Sequence, residues 1–120
     1  ELISDSINAC DNHDGAVVGF PCNDTVKLSE NGLIKKTLDR ETIWLAQTPQ
    51  TFHKNKLNKA ILYAESTGFT GTDEATFMEA MGFSIALVKG HENNFKVTTQ
   101  SDWERAEQLI QLQNRKDIRA

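Results

Sequence analysis

An α/β fold is predicted by three observations. Ala16-Val17-Val18-Gly19-Phe20 is a continuous apolar run of strand length, the pattern of a central strand covered on both faces. Helical spacing flanks it in sequence, with Leu2, Ile3 and Ile7 before it and Leu57, Ala60, Ile61 and Ala64 after it. Between these, Asn31-Gly32 joins two strand-like segments, Thr25–Glu30 and Leu33–Leu38. Asn-Gly is the strongest short hairpin signal, because a type I′ turn needs positive φ at both central residues.

The elements follow in order. Residues 1–12 read as a helix already under way, and Asp11-Asn12-His13-Asp14-Gly15 breaks it. Pro21 stops the first strand. A lone two-stranded ribbon is marginal in water, so Val26, Leu28, Leu33 and Ile34 need a surface to lie on. That surface is either the same chain or a second subunit gripped by the ribbon. Lys54–Ser66 is a helix, closed by Gly68. Thr72 stands where an N-cap belongs, with Asp73 and Glu74 in the first turn and Phe77, Met78 and Met81 apolar beyond. Acids in a first turn favour the helix dipole, so a structural role accounts for these two adequately.

Phe83–Val88 reads as a second strand and Phe95–Thr98 as a third, short one. Ser101-Asp102-Trp103-Glu104 has the form of a capping box. It opens a last helix in which Trp103, Ala106, Leu109 and Ile110 recur at helical spacing, and the polar tail Gln113–Ala120 is expected to fray. The order makes an α/β half-domain. Its sheet lacks a first mononucleotide-binding unit, and no glycine-rich strand–loop–helix supplies one.

A length of 120 residues holds one domain. Hydrophobic residues are only 38% and the mean hydropathy is −0.48, lean for a chain that must supply its own core. With a helix already running at Glu1, the chain is expected to be a piece of something larger. Thirteen basic and seventeen acidic residues leave a net charge of −4, which argues against bulk electrostatic binding to nucleic acid or to an anionic membrane. Lys27, Lys35, Lys36 and Arg40 are nonetheless grouped, either as a solvated hairpin face or as an anion funnel.

Cys10 and Cys22 form no CxxC pair and have no His at zinc-ligand spacing. Free, buried thiols in a reducing cytosol are expected. His13, His53 and His91 are scattered, and no metal or triad role is expected of them. With no membrane span and no signal peptide in the sequence, a soluble chain is expected.

Three polar runs remain: Ala46-Gln47-Thr48-Pro49-Gln50-Thr51-Phe52, Gly71-Thr72-Asp73-Glu74-Ala75 and Asn94-Phe95-Lys96-Val97-Thr98. Each is expected beside a strand end or a helix start, where free backbone N–H groups can hold an anion. Arg40 precedes the first run and Lys96 lies in the last. A packed core has no need for this arrangement; a phosphate site has.

At these residues the chain resembles the 2-C-methyl-D-erythritol 4-phosphate cytidylyltransferases, CTP-using enzymes of the non-mevalonate isoprenoid pathway. The likeness runs from about Gly15 to Ile110. It also rests on Asp24-Thr25-Val26-Lys27, Leu38-Asp39-Arg40, Trp44 before Gln47-Thr48-Pro49-Gln50, Gly90 and Asp102. The resemblance implies a Rossmann-like nucleotidyltransferase sheet, of which residues 1–120 would be the C-terminal part of a single domain. It implies a homodimer in which the hairpin, at about residues 24–40, is an arm reaching the partner subunit.

By the same likeness Thr25 and Arg40 match arm positions that contact the methylerythritol phosphate of the neighbouring site. Thr72 and Lys96 match body positions on the same phosphate, and Thr48 a loop lining the pocket. Lys96 and Arg40 are then the catalytic candidates. The family's CTP-binding loop, nearby lysine and Asp-x-Ala-Arg-Pro run are not in this sequence, so this chain alone is expected to be inactive and Mg2+ to find its ligands elsewhere. The implied enzyme is cytoplasmic, or plastidic in a plant or alga. Cytidylyltransferases of ribitol or glycerol phosphate, and a non-catalytic dimerisation fragment, are the alternatives.

Overall fold

The computed structural model describes residues 1–119. Helix α1 (Leu2–Ala9) leads into strand β1 (Gly15–Pro21), the ribbon strands β2 (Val26–Glu30) and β3 (Leu33–Leu38), and a 3-10 turn at Arg40–Thr42. Strand β4 (Trp44–Phe52), helices α2 (Lys54–Thr67) and α3 (Glu74–Ala80), strand β5 (Ile85–Lys89) and helix α4 (Gln100–Arg119) complete the chain. The α/β class is as the sequence predicts, whereas the element order differs by the added strand β4 and by the lack of a strand at residues 95–98.

Strand β1 is the centre of a three-stranded sheet, antiparallel to β4 and parallel to β5. Residues 15–19 are all buried, as the uninterrupted apolar run requires. Helix α1 turns Leu2 and Ser6 toward this sheet, with Cys10 buried just past its end, while Ile3 and Ile7 stay exposed. Leu2, Ile3 and Ile7 are therefore not one packed face, as their spacing suggests. Ser6 displaces them because its Oγ meets Thr51 Oγ1 at 2.8 Å and donates to the Ile3 carbonyl at 2.8 Å, so the small polar residue faces the sheet with its hydroxyl satisfied. Both cysteines are free and buried, and burial, then the neighbouring Asp11 charge, pushes the Cys10 thiol up.

Strand β4 departs from the sequence expectation of a polar run at Ala46–Phe52. It is a nine-residue edge strand. Its pairing with β1 slips between Val17↔Gln50 and Gly19↔Ala46, so Gln47, Thr48 and Pro49 stand opposite Val18 alone. The bulge breaks the period-two alternation by which strands are read. It also seats Pro49, after a cis Thr48–Pro49 bond, where no ladder hydrogen bond is required of it.

The hairpin is present with φ +52° at Asn31 and +79° at Gly32, the left-handed pair a type I′ turn demands. Lys35 is the extra residue, between Leu28↔Lys36 and Ser29↔Ile34. The ribbon forms its own two-stranded sheet apart from β1, and Leu33 and Ile34 near its tip are 73% and 66% exposed. It finds no cover within the described residues. Helix α4 also projects: Trp103 and Ile110 have the predicted helical spacing but remain exposed. These projections explain a radius of gyration of 17.6 Å, where a compact chain of this length has about 14 Å.

Helix α2 buries Ala60 and Ala64 and ends at Gly68 with φ +70°, as its sequence indicates. Helix α4 starts one residue before Ser101, and its capping box is shifted. Thr99 is the cap, accepting from Asp102 N through Oγ1 at 3.0 Å, while Asp102 Oδ2 accepts from Thr99 N at 3.2 Å. Thr98 adds its amide and hydroxyl to the same carboxylate oxygen, and these Thr98 bonds above all hold the Asp102 pKa below its ordinary value. The helix extends through Arg119, and Ala120 lies outside the described residues. No helix among the described residues is long and apolar enough to cross a membrane.

At the opposite end of the sheet, Asp14 ties three elements together. Its Oδ1 pairs with Lys56 Nζ of α2, and its Oδ2 accepts from Ser84 N at 2.8 Å just before β5. The Lys56 bond first, then the Ser84 amide, holds the Asp14 carboxyl below its ordinary pKa of 3.8. A depressed carboxyl stabilises the fold at pH above its unfolded value, and that contribution is lost as pH falls from 3.8 through the lowered folded value. Asp14→Asn should therefore lower the melting temperature at neutral pH and flatten its decline over this acidic window, followed by thermal melts across pH. A decline as steep as in the parent protein would contradict this.

Candidate functional site

The three polar runs meet. An open cleft of about 970 Å³ lies at the carboxyl ends of β1 and β5, and Thr48, Thr72 and Lys96 all line it. This is where open α/β sheets place their ligands. A recess of about 430 Å³ adjoins it and shares Thr48, Gln50, Thr72 and Asp73. Each of the three residues reaches the cleft by a different local device.

Thr48 is carried by the β4 bulge. Gln47, beside it, donates through Nε2 to the His91 carbonyl at 2.9 Å. Gly90 lets β5 pass close by. Its amide donates to the Gly19 carbonyl at 2.8 Å, and a Cβ there would come within 2.7 Å of Val18. Only glycine fits against the strand.

Thr72 is not the helix cap the sequence suggests; Asp73 is. Asp73 Oδ1 accepts from Thr76 N at 2.9 Å and from Thr76 Oγ1 at 2.7 Å, starting α3 one residue later. This displaces Thr72 into the connecting loop, where it is exposed. Asp73 Oδ2 accepts from Gln50 Nε2 at 3.0 Å, tying the start of α3 to β4. Burial pushes the Asp73 carboxyl up, but the bonds from Thr76 and Gln50 together outweigh it and leave its pKa below the ordinary value. Both structural and positioning roles thus belong to Asp73.

Lys96 sits on an irregular loop, not on the short strand read at Phe95–Thr98. Among the described residues no strand lies beside this stretch to complete a ladder. Side chains hold the loop instead. Asn94 Nδ2 donates to Thr48 O at 2.7 Å and to Gln47 Oε1 at 3.2 Å. The Arg105 guanidinium lies 4.1 Å from the centre of the Phe95 ring and donates to Glu92 O at 3.0 Å. Val97, on the other flank of Lys96, is exposed.

Thr25 and Arg40 do not join this group. Both are exposed at the foot of the ribbon, outside the cleft lining. Arg40 Nη1 donates to the Asn23 carbonyl at 2.9 Å, which braces the foot. The chain therefore brings the three body residues onto one cleft and leaves the two ribbon residues outside its lining, next to Asn23 and Asp24 at its edge. Sequence patterns do not single out Gln50, Asp73 as cap, or Arg105. Gln50 and Asp73 are visible inside the polar runs, whereas no local pattern marks Arg105, whose partners lie ten or more residues away.

Among the described residues no group of three or more His, Cys, Asp or Glu side chains could hold a metal ion. The cleft lining carries the hydroxyls of Thr48 and Thr72, the amides of Gln50 and Asn94 and the cations Lys96 and Arg105, together with the carboxylates of Asp24, Asp73 and Glu92, so its anion-directed donors are local to Thr48, Thr72 and Lys96.

The 2-C-methyl-D-erythritol 4-phosphate cytidylyltransferase family model matches residues 1–112. A protein of that description from Clostridioides difficile is 35% identical over 117 residues, covering 98% of this chain and 49% of its own length. One from Geobacter metallireducens is 44% identical over 98 residues, covering 82% and 42%. The crystal structure of the Thermus thermophilus protein superposes with a TM-score of 0.81 at 33% identity, over 92% of this chain and 55% of that one. The chain spans about half the length of the curated relatives it matches. By sequence and by fold, it belongs to the 2-C-methyl-D-erythritol 4-phosphate cytidylyltransferase family.

Proposed function

We propose that this chain is the C-terminal part of a single cytidylyltransferase domain. The whole protein joins 2-C-methyl-D-erythritol 4-phosphate to CTP, giving 4-diphosphocytidyl-2-C-methyl-D-erythritol and pyrophosphate for isoprenoid precursor synthesis. The observation that carries this reading is the meeting of Thr48, Thr72 and Lys96, from three separate segments, on one cleft. Family membership supplies the substrate pair.

A phosphate oxygen of the alditol phosphate attacks the α-phosphorus of CTP in line, a P–O bond forms, and pyrophosphate leaves with the electron pair. The attacking phosphate is already ionised at neutral pH, so no side-chain nucleophile is needed. The barrier lies in bringing anions together, and positioning with electrostatic stabilisation lowers it. Lys96 neutralises the attacking phosphate, while Thr72 and Thr48 donate hydroxyl hydrogen bonds that orient it. CTP and Mg2+ are held by residues outside this chain.

The enzyme works as a cytoplasmic homodimer in this reading. An uncovered ribbon, with Thr25 and Arg40 outside their own chain's cleft, suits an arm that delivers both to a partner's site. Turnover by the full-length protein is the test, with CTP and, in turn, methylerythritol phosphate, ribitol phosphate and glycerol phosphate, following pyrophosphate release. Methylerythritol phosphate should be strongly preferred. Preference for either other alditol phosphate, or no turnover at all, would overturn the assignment.

A further inference from the structure

We propose that Arg105 is a positioning residue for Lys96, and that the first turns of α4 fix the loop that carries it. This inference rests on the reading of Lys96 given above. Among the described residues no strand pairs with residues 91–98, and side-chain ties hold their shape. Asp102 grips the loop's far end through Thr98 and Thr99. Arg105, one helical turn later, grips the near end and the middle: Nη2 donates to Glu92 O at 3.0 Å and reaches Asn93 Oδ1 at 3.5 Å, while the guanidinium covers the Phe95 ring at 4.1 Å.

Residues three and four apart share one helix face, so Asp102 and Arg105 address the same loop from the same side. Lys96 lies between the two grips. Stacking immobilises the ring next to the lysine in sequence, and the carbonyl bond fixes where the loop leaves β5. The guanidinium is suited to this double task, since a planar cation can cover a ring with its face and donate with its edge. A lysine can do one or the other.

The test uses the full-length enzyme with Arg105→Met, Arg105→Lys and Phe95→Leu. Arg105 is exposed, so the variants should fold, and thermal melts verify this. Amide hydrogen exchange across residues 92–98 reads the clamp directly, without reference to activity. Arg105→Met should speed exchange there about tenfold, because it removes one charge-assisted bond and the stacking of a cation on the ring. It should raise KM for the alditol phosphate about five- to tenfold with KM for CTP unchanged. Arg105→Lys should fall between, and Phe95→Leu should add little to Arg105→Met, because the two residues share one interaction.

Unchanged exchange in Arg105→Met overturns the clamp. Unchanged exchange with a raised KM makes Arg105 a direct ligand of substrate and overturns the positioning role equally. Faster exchange with unaltered kinetics overturns the link to Lys96. Should the parent enzyme fail to turn over the substrate pair, the activity reading falls, and the exchange data still decide the clamp.

Discussion

Lys96→Ala in the full-length enzyme is expected to lower turnover roughly 10- to 150-fold, the effect of removing one charge-assisted interaction of about 1.5–3 kcal/mol. Folding should be nearly unchanged. The side chain is exposed, it sits on an irregular loop, and it lines the cleft rather than the core. The loop's own ties come from Asn94, Asp102 and Arg105, none of which the substitution removes. Melting temperature and steady-state kinetics measured together separate the two effects. Parent-level turnover in the variant would take Lys96 out of the mechanism.

The second large effect concerns Arg40, and subunit mixing reads it. Arg40→Ala and Lys96→Ala homodimers should each be nearly inactive. If the ribbon acts on the partner, a mixed dimer keeps one site with an intact body and an intact arm. Random pairing in a two-fold dimer then restores roughly a quarter of the parent activity. If the ribbon serves its own subunit, both sites of a mixed dimer carry one lesion and nothing returns. Arg40→Lys should also be harmful, because lysine lacks the planar fork that pairs with two phosphate oxygens while bracing Asn23.

Where the fold was legible in the sequence, one local cause dominated. The apolar run of β1, the Asn31-Gly32 turn and the Gly68 helix stop each specify their conformation within a few residues, and each is found. Where causes were distant, the reading failed. Strand β4 is polar and carries two extra residues in a bulge, so neither hydropathy nor alternation marks it; its identity comes from pairing with β1. Phe95–Thr98 has strand composition and no strand partner among the described residues. Thr72 loses the cap to Asp73 because the carboxylate answers both Thr76 and Gln50, and Gln50 lies more than twenty residues away. The cleft was legible as three runs through the resemblance of their residues. That Thr25 and Arg40 lie outside its lining within one chain follows from where the ribbon projects, which no spacing reveals.

The amide of Asn94 has a thermodynamic consequence. By binding both Gln47 and Thr48, it makes the hydroxyl-bearing bulge and the ammonium-bearing loop a single wall before any ligand arrives. The entropy of aligning those two groups is surrendered during folding, so under the proposed function the substrate phosphate has less disorder to remove and binds more tightly through the same interactions.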